Sequence, residues 1–169
     1  MTIADLLADA FGRVRDAVHQ AVDGLTPGQL AFRPDNGSNS IAWLVWHLTR
    51  IQDDHIADVA DTGQVWTVAG WADQFGLPFA ASATGYGDGH EAVAAVQVRS
   101  GELLTGYYDA VHAETIKYVR RLSEADLDRV VDEAWDPPVT LGVRLVSVIS
   151  DDLQHAGQAA YLRGLILRS

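Results

Sequence analysis

Apolar residues recur at three- and four-residue steps in four long segments of this chain, and that period points to a packed set of helices. In the first, from about residue 3 to 23, Leu7, Phe11, Val14, Val18 and Ala21 fall on one side. The second begins at "NGSNSIAW", where Asn39 or Ser40 serves as the cap, and runs to about Asp61. Trp43, Leu44, His47, Ile51 and Asp54 share one side of it. The third covers about 100–122, with Leu104, Tyr108, Val111, Thr115 and Val119 on one face, and the fourth runs from about Leu141 to Leu167. Between them, Pro27 suits the start of a short turn of helix after Thr26, and Ser123 with Asp126 reads as the cap of another. Pro137 and Pro138 bar helix in "WDPPVTLG". The expectation is an all-α chain, a four-helix bundle, with residues 1–169 forming one domain.

The second and third helices are joined by a stretch of roughly 35 residues, Thr62 to Gln97, that holds Trp66, Trp71, Phe75, Phe79 and Tyr86. That is long for a connection in a bundle. Such aromatic loops form pocket walls or lids, or they seal one end of a core, and both readings stay open here.

Composition removes several classes of function. The formal charge of −11 and a pI of about 4.7 repel phosphate backbones, so no nucleic-acid partner is expected. The absence of cysteine excludes disulfides, Cys-ligated zinc and a Cys nucleophile, so any metal must be held by His and carboxylates. No window approaches ~18 consecutive apolar residues, and no membrane association is expected. The opening "MTIADLLADAFGRVRDAV" carries acids where a signal peptide carries positive charge, so the expected location is cytoplasmic.

One constellation stands out. Asp151 and His155 are four residues apart, about 40° apart round a helix, and Val148, Ala159 and Leu162 point the same way. The pair therefore faces the bundle interior or a cavity in it. A carboxylate there needs compensation, either from Arg144 two turns earlier or from a metal ion. His47 lies among Trp43, Leu44 and Ile51 on the apolar side of the second helix. One His plus an Asp-x-x-x-His pair gives three ligands of types zinc accepts, with a fourth position open. Spacing alone leaves a buried hydrogen-bond network with Arg144 and no metal equally open.

The other histidines read differently. His55 is about 12 Å along the axis from His47 at 1.5 Å per residue, too far to share one metal. With Asp54 it reads as a solvated helix end or a substrate contact near the mouth. His19 reads as a solvated ion pair with Asp16 and Asp23. His112 reads as a border residue with Asp109 one turn back, and His90 as a loop residue beside Glu91. "GYGDGHE" follows no strand, so a phosphate loop is not expected. No Ser lies in a nucleophile-elbow pattern.

"SIAWLVWHLTRIQDDHI", the aromatic loop and "RLVSVISDDLQHAGQAAYLRG" together resemble the DinB-like four-helix metalloproteins, over essentially the whole chain. The most specific part is a histidine in "HL" on the second helix with "D-x-x-x-H-x-G-Q" on the last. Within that family the chain is most similar to the mycothiol-dependent subset that includes the N-terminal domain of the maleylpyruvate isomerases. The resemblance implies a DinB-like bundle and a divalent metal, zinc first and nickel second, held by His47, Asp151 and His155. Gln158 falls on a position that often lines the site. Asp151 departs from the more usual His or Glu. The isomerases carry a further C-terminal domain, and this chain ends at Ser169, so maleylpyruvate isomerisation is not expected. The resemblance also leaves a homodimer open.

Three functions follow as expectations. The first is a divalent-metal-dependent thiol S-transferase that uses mycothiol or a similar low-molecular-weight thiol against a small electrophile. Gln158 would orient the thiol, Arg50 or Arg144 would hold a carboxylate, and Asp54 would contact substrate near the mouth. The second is a metal-dependent hydrolase, in which bound water is the nucleophile. The third is a metal- or small-ligand-binding stress protein without turnover.

Overall fold

The computed structural model describes residues 1–168. Four long helices dominate it: α1 (Ile3–Val22), α3 (Ile41–Ala60), α7 (Gly101–Val119) and α8 (Leu141–Ile166). Each packs chiefly against two others. α3 and α1 both lie against α8 and α7, so α1 and α3 occupy one diagonal of the bundle and α7 and α8 the other. This is the expected all-α, four-helix arrangement.

Polar side chains fix where the helices begin. Thr2 and Asp5 form a capping box at α1, and Thr26 with Gln29 does the same at the short α2 (Pro27–Leu30), with Pro27 in its first turn. At α3 the cap is Ser40, whose Oγ accepts from the Trp43 N–H at 3.1 Å, and not Asn39. Ser123 and Asp126 close the box expected of them, at a single 3-10 turn (Glu124–Asp128). Thr140 caps α8.

Two regions go beyond the sequence expectation. The long connection is not bare loop but folds into α4 (Val65–Val68), α5 (Trp71–Phe75) and α6 (His90–Ala95). After the 3-10 turn, β1 (Val130–Asp132) pairs antiparallel with β2 (Val139–Thr140), so the proline-rich "WDPPVTLG" closes a small hairpin.

The core has three layers along the bundle axis. One apolar cluster holds Val14, Val18, Leu44, Trp46, Leu48, Leu104, Val111 and Ala156. A smaller one at the other end holds Leu7, Phe11, Ile56, Val119, Leu145 and Val148. Between them, at positions one turn from each cluster, lie Gln52 on α3, Thr115 on α7 and Asp152 on α8, all fully buried. Gln52 donates to Thr115 Oγ1 at 2.8 Å and accepts from the Tyr108 hydroxyl at 3.0 Å. Asp152 sits beside them with neither oxygen hydrogen-bonded.

α3 is buried on all sides over its first ten residues, Ile41 to Arg50, because the long connection covers the side the bundle does not. A helix apolar all round its circumference belongs inside a structure rather than on its surface. No helix among the described residues is long and apolar enough to cross a membrane.

Candidate metal centre

α3 and α8 pack against each other along their length, and three side chains converge between them. One ligand atom from each of His47, Asp151 and His155 lies within 4.8 Å of the other two. His155 Nε2 stands 3.6 Å from Asp151 Oδ1, and the two imidazole rings meet edge to face with centroids 4.9 Å apart. The i, i+4 step on α8 places Asp151 and His155 over one another, as expected of a helix. Asp152, about 100° round α8 from Asp151, is fully buried in the polar layer of the core, and the acidic member of the cluster is Asp151.

The hydrogen bonds around the cluster fix how the histidines present themselves. His47 Nδ1 lies 2.6 Å from the Thr84 carbonyl oxygen, which can only accept, so Nδ1 carries the proton. His155 Nδ1 lies 3.1 Å from Gln158 Oε1, also an acceptor. Both rings are therefore held as the tautomer whose Nε2 has a free lone pair. Carbonyl partners of this kind are the usual means of orienting metal-ligating histidines. Asp151 Oδ2 is buried and meets no donor in the chain. An unmet carboxylate oxygen beside two imidazole lone pairs is a set of acceptors without a donor, which a divalent cation satisfies. Two nitrogens and a carboxylate oxygen form a donor set that divalent first-row metals accept.

The loop builds the rest of the wall. Trp43 stacks on His47 with ring centroids 4.5 Å apart and 15° between planes, and presents its edge to His155. Its Nε1–H donates to Asp88 Oδ2 at 3.0 Å, which ties α3 to the loop just before α6. Gly85 passes so close that a Cβ there would stand 2.8 Å from His47 Nδ1 and 3.0 Å from the Trp46 ring. Burial holds the His47 imidazole below its ordinary value, against the pull of the Thr84 hydrogen bond, and the charge of His155 lowers it further. The ring is thus neutral at neutral pH, the form a ligand needs.

Four residues expected to contact substrate are placed as follows. Gln158 is beside the cluster, through His155. Arg50 is fully buried and anchors the loop. It donates to the carbonyls of Ala83 and Ala81, to Gln64 Oε1 and to the Tyr107 hydroxyl, lies over the Trp66 ring, and stands 3.7 Å from Asp53. It has no exposed surface to offer a ligand. Asp54 accepts from Gln64 Nε2 at 2.6 Å, in the same anchoring network. Arg144 does not compensate Asp151. It donates to Asp132 Oδ2 on the hairpin at 2.8 Å and bonds His55 Nδ1 at 2.9 Å. His55 is accordingly no solvated helix end; burial, then the neighbouring Arg144 charge, lowers its imidazole.

Other pairings also differ from expectation. His19 and Arg15 on α1 both bond Asp109 Oδ1 on α7, at 2.9 and 2.8 Å, so the partner of His19 is across the bundle and not Asp16 or Asp23. Burial pushes the Asp109 carboxyl up, but these two hydrogen bonds outweigh it and hold the group low. Asp53 is the residue that sequence reasoning passed over. It accepts from the backbone N–H groups of Val65 and Trp66 at 2.8 and 2.7 Å and from the Tyr107 hydroxyl at 2.8 Å, and so caps α4 from within the core.

A groove of about 310 Å³ runs beside the cluster, lined by Pro34, Ser38, Leu44, Gln158 and Tyr161 among others. A roomier cavity of about 500 Å³ lies between α3, α4 and α7 and includes none of the three clustered residues.

A family model described as the DinB superfamily matches residues 10–159. Among solved structures, the crystal structure of a conserved protein from Enterococcus faecalis is similar throughout. It has a TM-score of 0.93 and 30% identity, covering 100% of this chain and 99% of that one. No curated protein matches the chain. These likenesses reach the superfamily and do not single out its mycothiol-dependent subset.

Proposed function

The chain belongs to the DinB superfamily, and from that premise and the His47–Asp151–His155 cluster we propose that it is a divalent-metal-dependent thiol S-transferase using mycothiol or a similar low-molecular-weight thiol. The observation that carries this reading is the cluster itself: two imidazoles with Nδ1 tied to carbonyl oxygens and a carboxylate oxygen without a donor, all within 4.8 Å. Three protein ligands leave room for an exogenous one. A zinc or nickel ion bound by these residues supplies the Lewis acidity that keeps a thiol deprotonated, and the thiolate is the nucleophile.

The chain's own residues do the rest. Thr84 and Gln158 hold the two rings in register. Trp43 closes one flank and excludes water from it. The groove past Gln158 gives the body of a small thiol a bed with both apolar and polar surface, from Leu44 and Tyr161 to Ser38 and the Gln158 amide. The sulfur would form its new bond to an electrophilic carbon delivered from the open side of the cluster as the bond from that carbon to its leaving group breaks, the leaving group departing with the electron pair (chloride for a chloro-substituted electrophile) and the thiol proton to solvent.

The test uses purified, untagged protein loaded with zinc or nickel. Mycothiol, bacillithiol and glutathione are each offered with monochlorobimane and 1-chloro-2,4-dinitrobenzene. Metal-dependent conjugation with at least one thiol is the expected result. Turnover of ester or amide substrates without thiol would support the hydrolase instead, and metal and thiol binding without any product would support a non-catalytic binding protein.

A further inference from the structure

α8 keeps its charges off the side it turns to solvent. Its Asp and Arg residues are Arg144, Asp151, Asp152 and Arg163. Arg144 is tied to Asp132 and His55, Asp151 belongs to the metal cluster, Asp152 is buried, and Arg163 donates to the carbonyls of Ala21 and Asp23. The outward side carries Val143, Val146, Ser150, Leu153, Gly157 and Ala160, all exposed and all uncharged. The other long helices differ. Exposed positions on α1 include Asp9, Arg13 and Asp16, and those on α7 include Glu114 and Lys117.

The six positions on α8 recur in steps of three and four, the period of a two-helix seam. Val143, Val146 and Leu153 are 53%, 65% and 44% exposed, and Tyr161 beside them 69%. The exposed residues from Val143 to Leu167 present on the order of 800 Å², what one partner in a standard interface buries. Gly157 adds a second sign. It sits well inside the longest helix, where glycine is destabilising relative to alanine. A Cβ there would meet nothing within 4 Å. Nothing within the fold calls for glycine at this position, whereas a second backbone passing close to it does.

We propose that this side of α8 binds a second copy of the chain, the two α8 helices packing antiparallel about a twofold axis. The face is complementary to itself only in that direction. With Ser150 of each helix level with Leu153 of the other, Val146 meets Gly157 and Val143 meets Ala160. Every layer then sets a larger residue against a smaller one, and each contact occurs twice about the axis. A parallel pair would instead stack Leu153 on Leu153 and Gly157 on Gly157. In the antiparallel pair the end of each α8 runs past the start of the other and comes level with its hairpin. There exposed Arg168 of one copy approaches exposed Glu133 and Asp136 of the other. Two chains of charge −11 repel each other, and this uncharged side lets them meet without setting acid against acid. Leu153 lies about 160° round α8 from Asp151, so the pairing leaves the metal cluster open and does not depend on the thiol-transfer reading.

The test begins with sedimentation velocity of the full, untagged chain from about 1 to about 100 μM, metal-free and zinc-loaded. A species of twice 18.3 kDa is expected in both forms. Gly157→Leu, whose side chain meets open space within one chain, should weaken the dimer at least tenfold with helix content and bound zinc unchanged. Leu153→Glu should do the same, and either variant suffices if the other does not fold. Direction is read by disulfide cross-linking, free of background because the chain has no cysteine. Val146→Cys alone and Gly157→Cys alone should not cross-link, since like positions stand about 16 Å apart along the antiparallel pair. The two variants mixed and left to exchange should cross-link. A monomer across the whole range would overturn the proposal and leave the face to another protein. A dimer that both substitutions leave intact, or single variants that cross-link with themselves, would overturn it as well.

Discussion

His47 owes its role to two backbone atoms that no side-chain pattern announces. The Thr84 carbonyl fixes its tautomer, and Gly85 makes room for its ring. Gly85 has φ +89°, a conformation L side chains rarely adopt, and its missing Cβ is the space that His47 and Trp46 occupy. Gly85→Ala should therefore cost about 1–3 kcal/mol of stability in urea denaturation. It should also reduce zinc affinity in a competitive chelator titration, because the ring must shift. An unchanged affinity would show that the loop does not set the ligand. Gln158→Leu tests the other histidine: losing the acceptor on Nδ1 should weaken zinc about 10–100-fold with the fold retained. His155→Ala should abolish stoichiometric metal by elemental analysis, whereas Asp152→Asn should keep it. Spacing in the sequence put Asp151 and His155 on one face because a helix repeats rigidly, and His47 on the apolar side of another helix; the family resemblance joined the three as one ligand set. Thr84 and Gly85 were illegible because a loop carbonyl is aimed by chain conformation and not by residue type.

At the scale of elements, the connection from residue 62 to 99 is held by a buried ion pair. Arg50 and Asp53, 0% and 3% exposed at the side chain, stand one turn apart on α3. Arg50 grips the loop's carbonyls, while Asp53 receives the first N–H groups of α4. Burial pushes the Asp53 carboxyl up, but every group around it donates or is positive, so it works as a carboxylate. Asp53→Ala would leave the Arg50 charge buried without its counter-ion and two backbone donors without an acceptor. The expected loss is about 3–5 kcal/mol, read as a lower urea midpoint, with limited proteolysis under native conditions shifting into residues 62–99. Equal protease resistance in the variant would remove this account of the loop. The sequence offered Arg50 and Asp54 as substrate contacts and gave Asp53 no role, since their partners lie in segments without periodicity. α4, α5 and α6 run four to six residues each, too short for a 3.6-residue repeat to be read. The four long helices, at 19 to 26 residues, were legible for the converse reason.

Over the whole molecule, the two apolar clusters are separated by the polar layer of Gln52, Thr115 and Asp152, and that layer makes stability depend on pH. Burial, and then the charge of Asp151, push the Asp152 carboxyl well above its usual range, so the folded chain holds it as the neutral acid. Both its oxygens lack a hydrogen-bond partner, which favours the uncharged form further. An acid raised on folding contributes fully below its unfolded value, near 3.9, and loses that contribution as pH climbs toward the folded value. His47, which is buried, and His55 and His112, which are half-buried, act oppositely. Their imidazoles are lowered by burial, so they cost stability as pH falls below about 6.5. The two effects are separated by comparing the natural chain with Asp152→Asn, metal-free, at each pH. The histidines cancel in that difference, and any fixed cost of the amide does not vary with pH. From pH 4.5 to 7 the variant should gain on the natural chain by about 1.4 kcal/mol per pH unit until the folded value is passed. A difference that stays flat across that range would mean that Asp152 ionises within the fold, and that water or a cation sits in the polar layer with it.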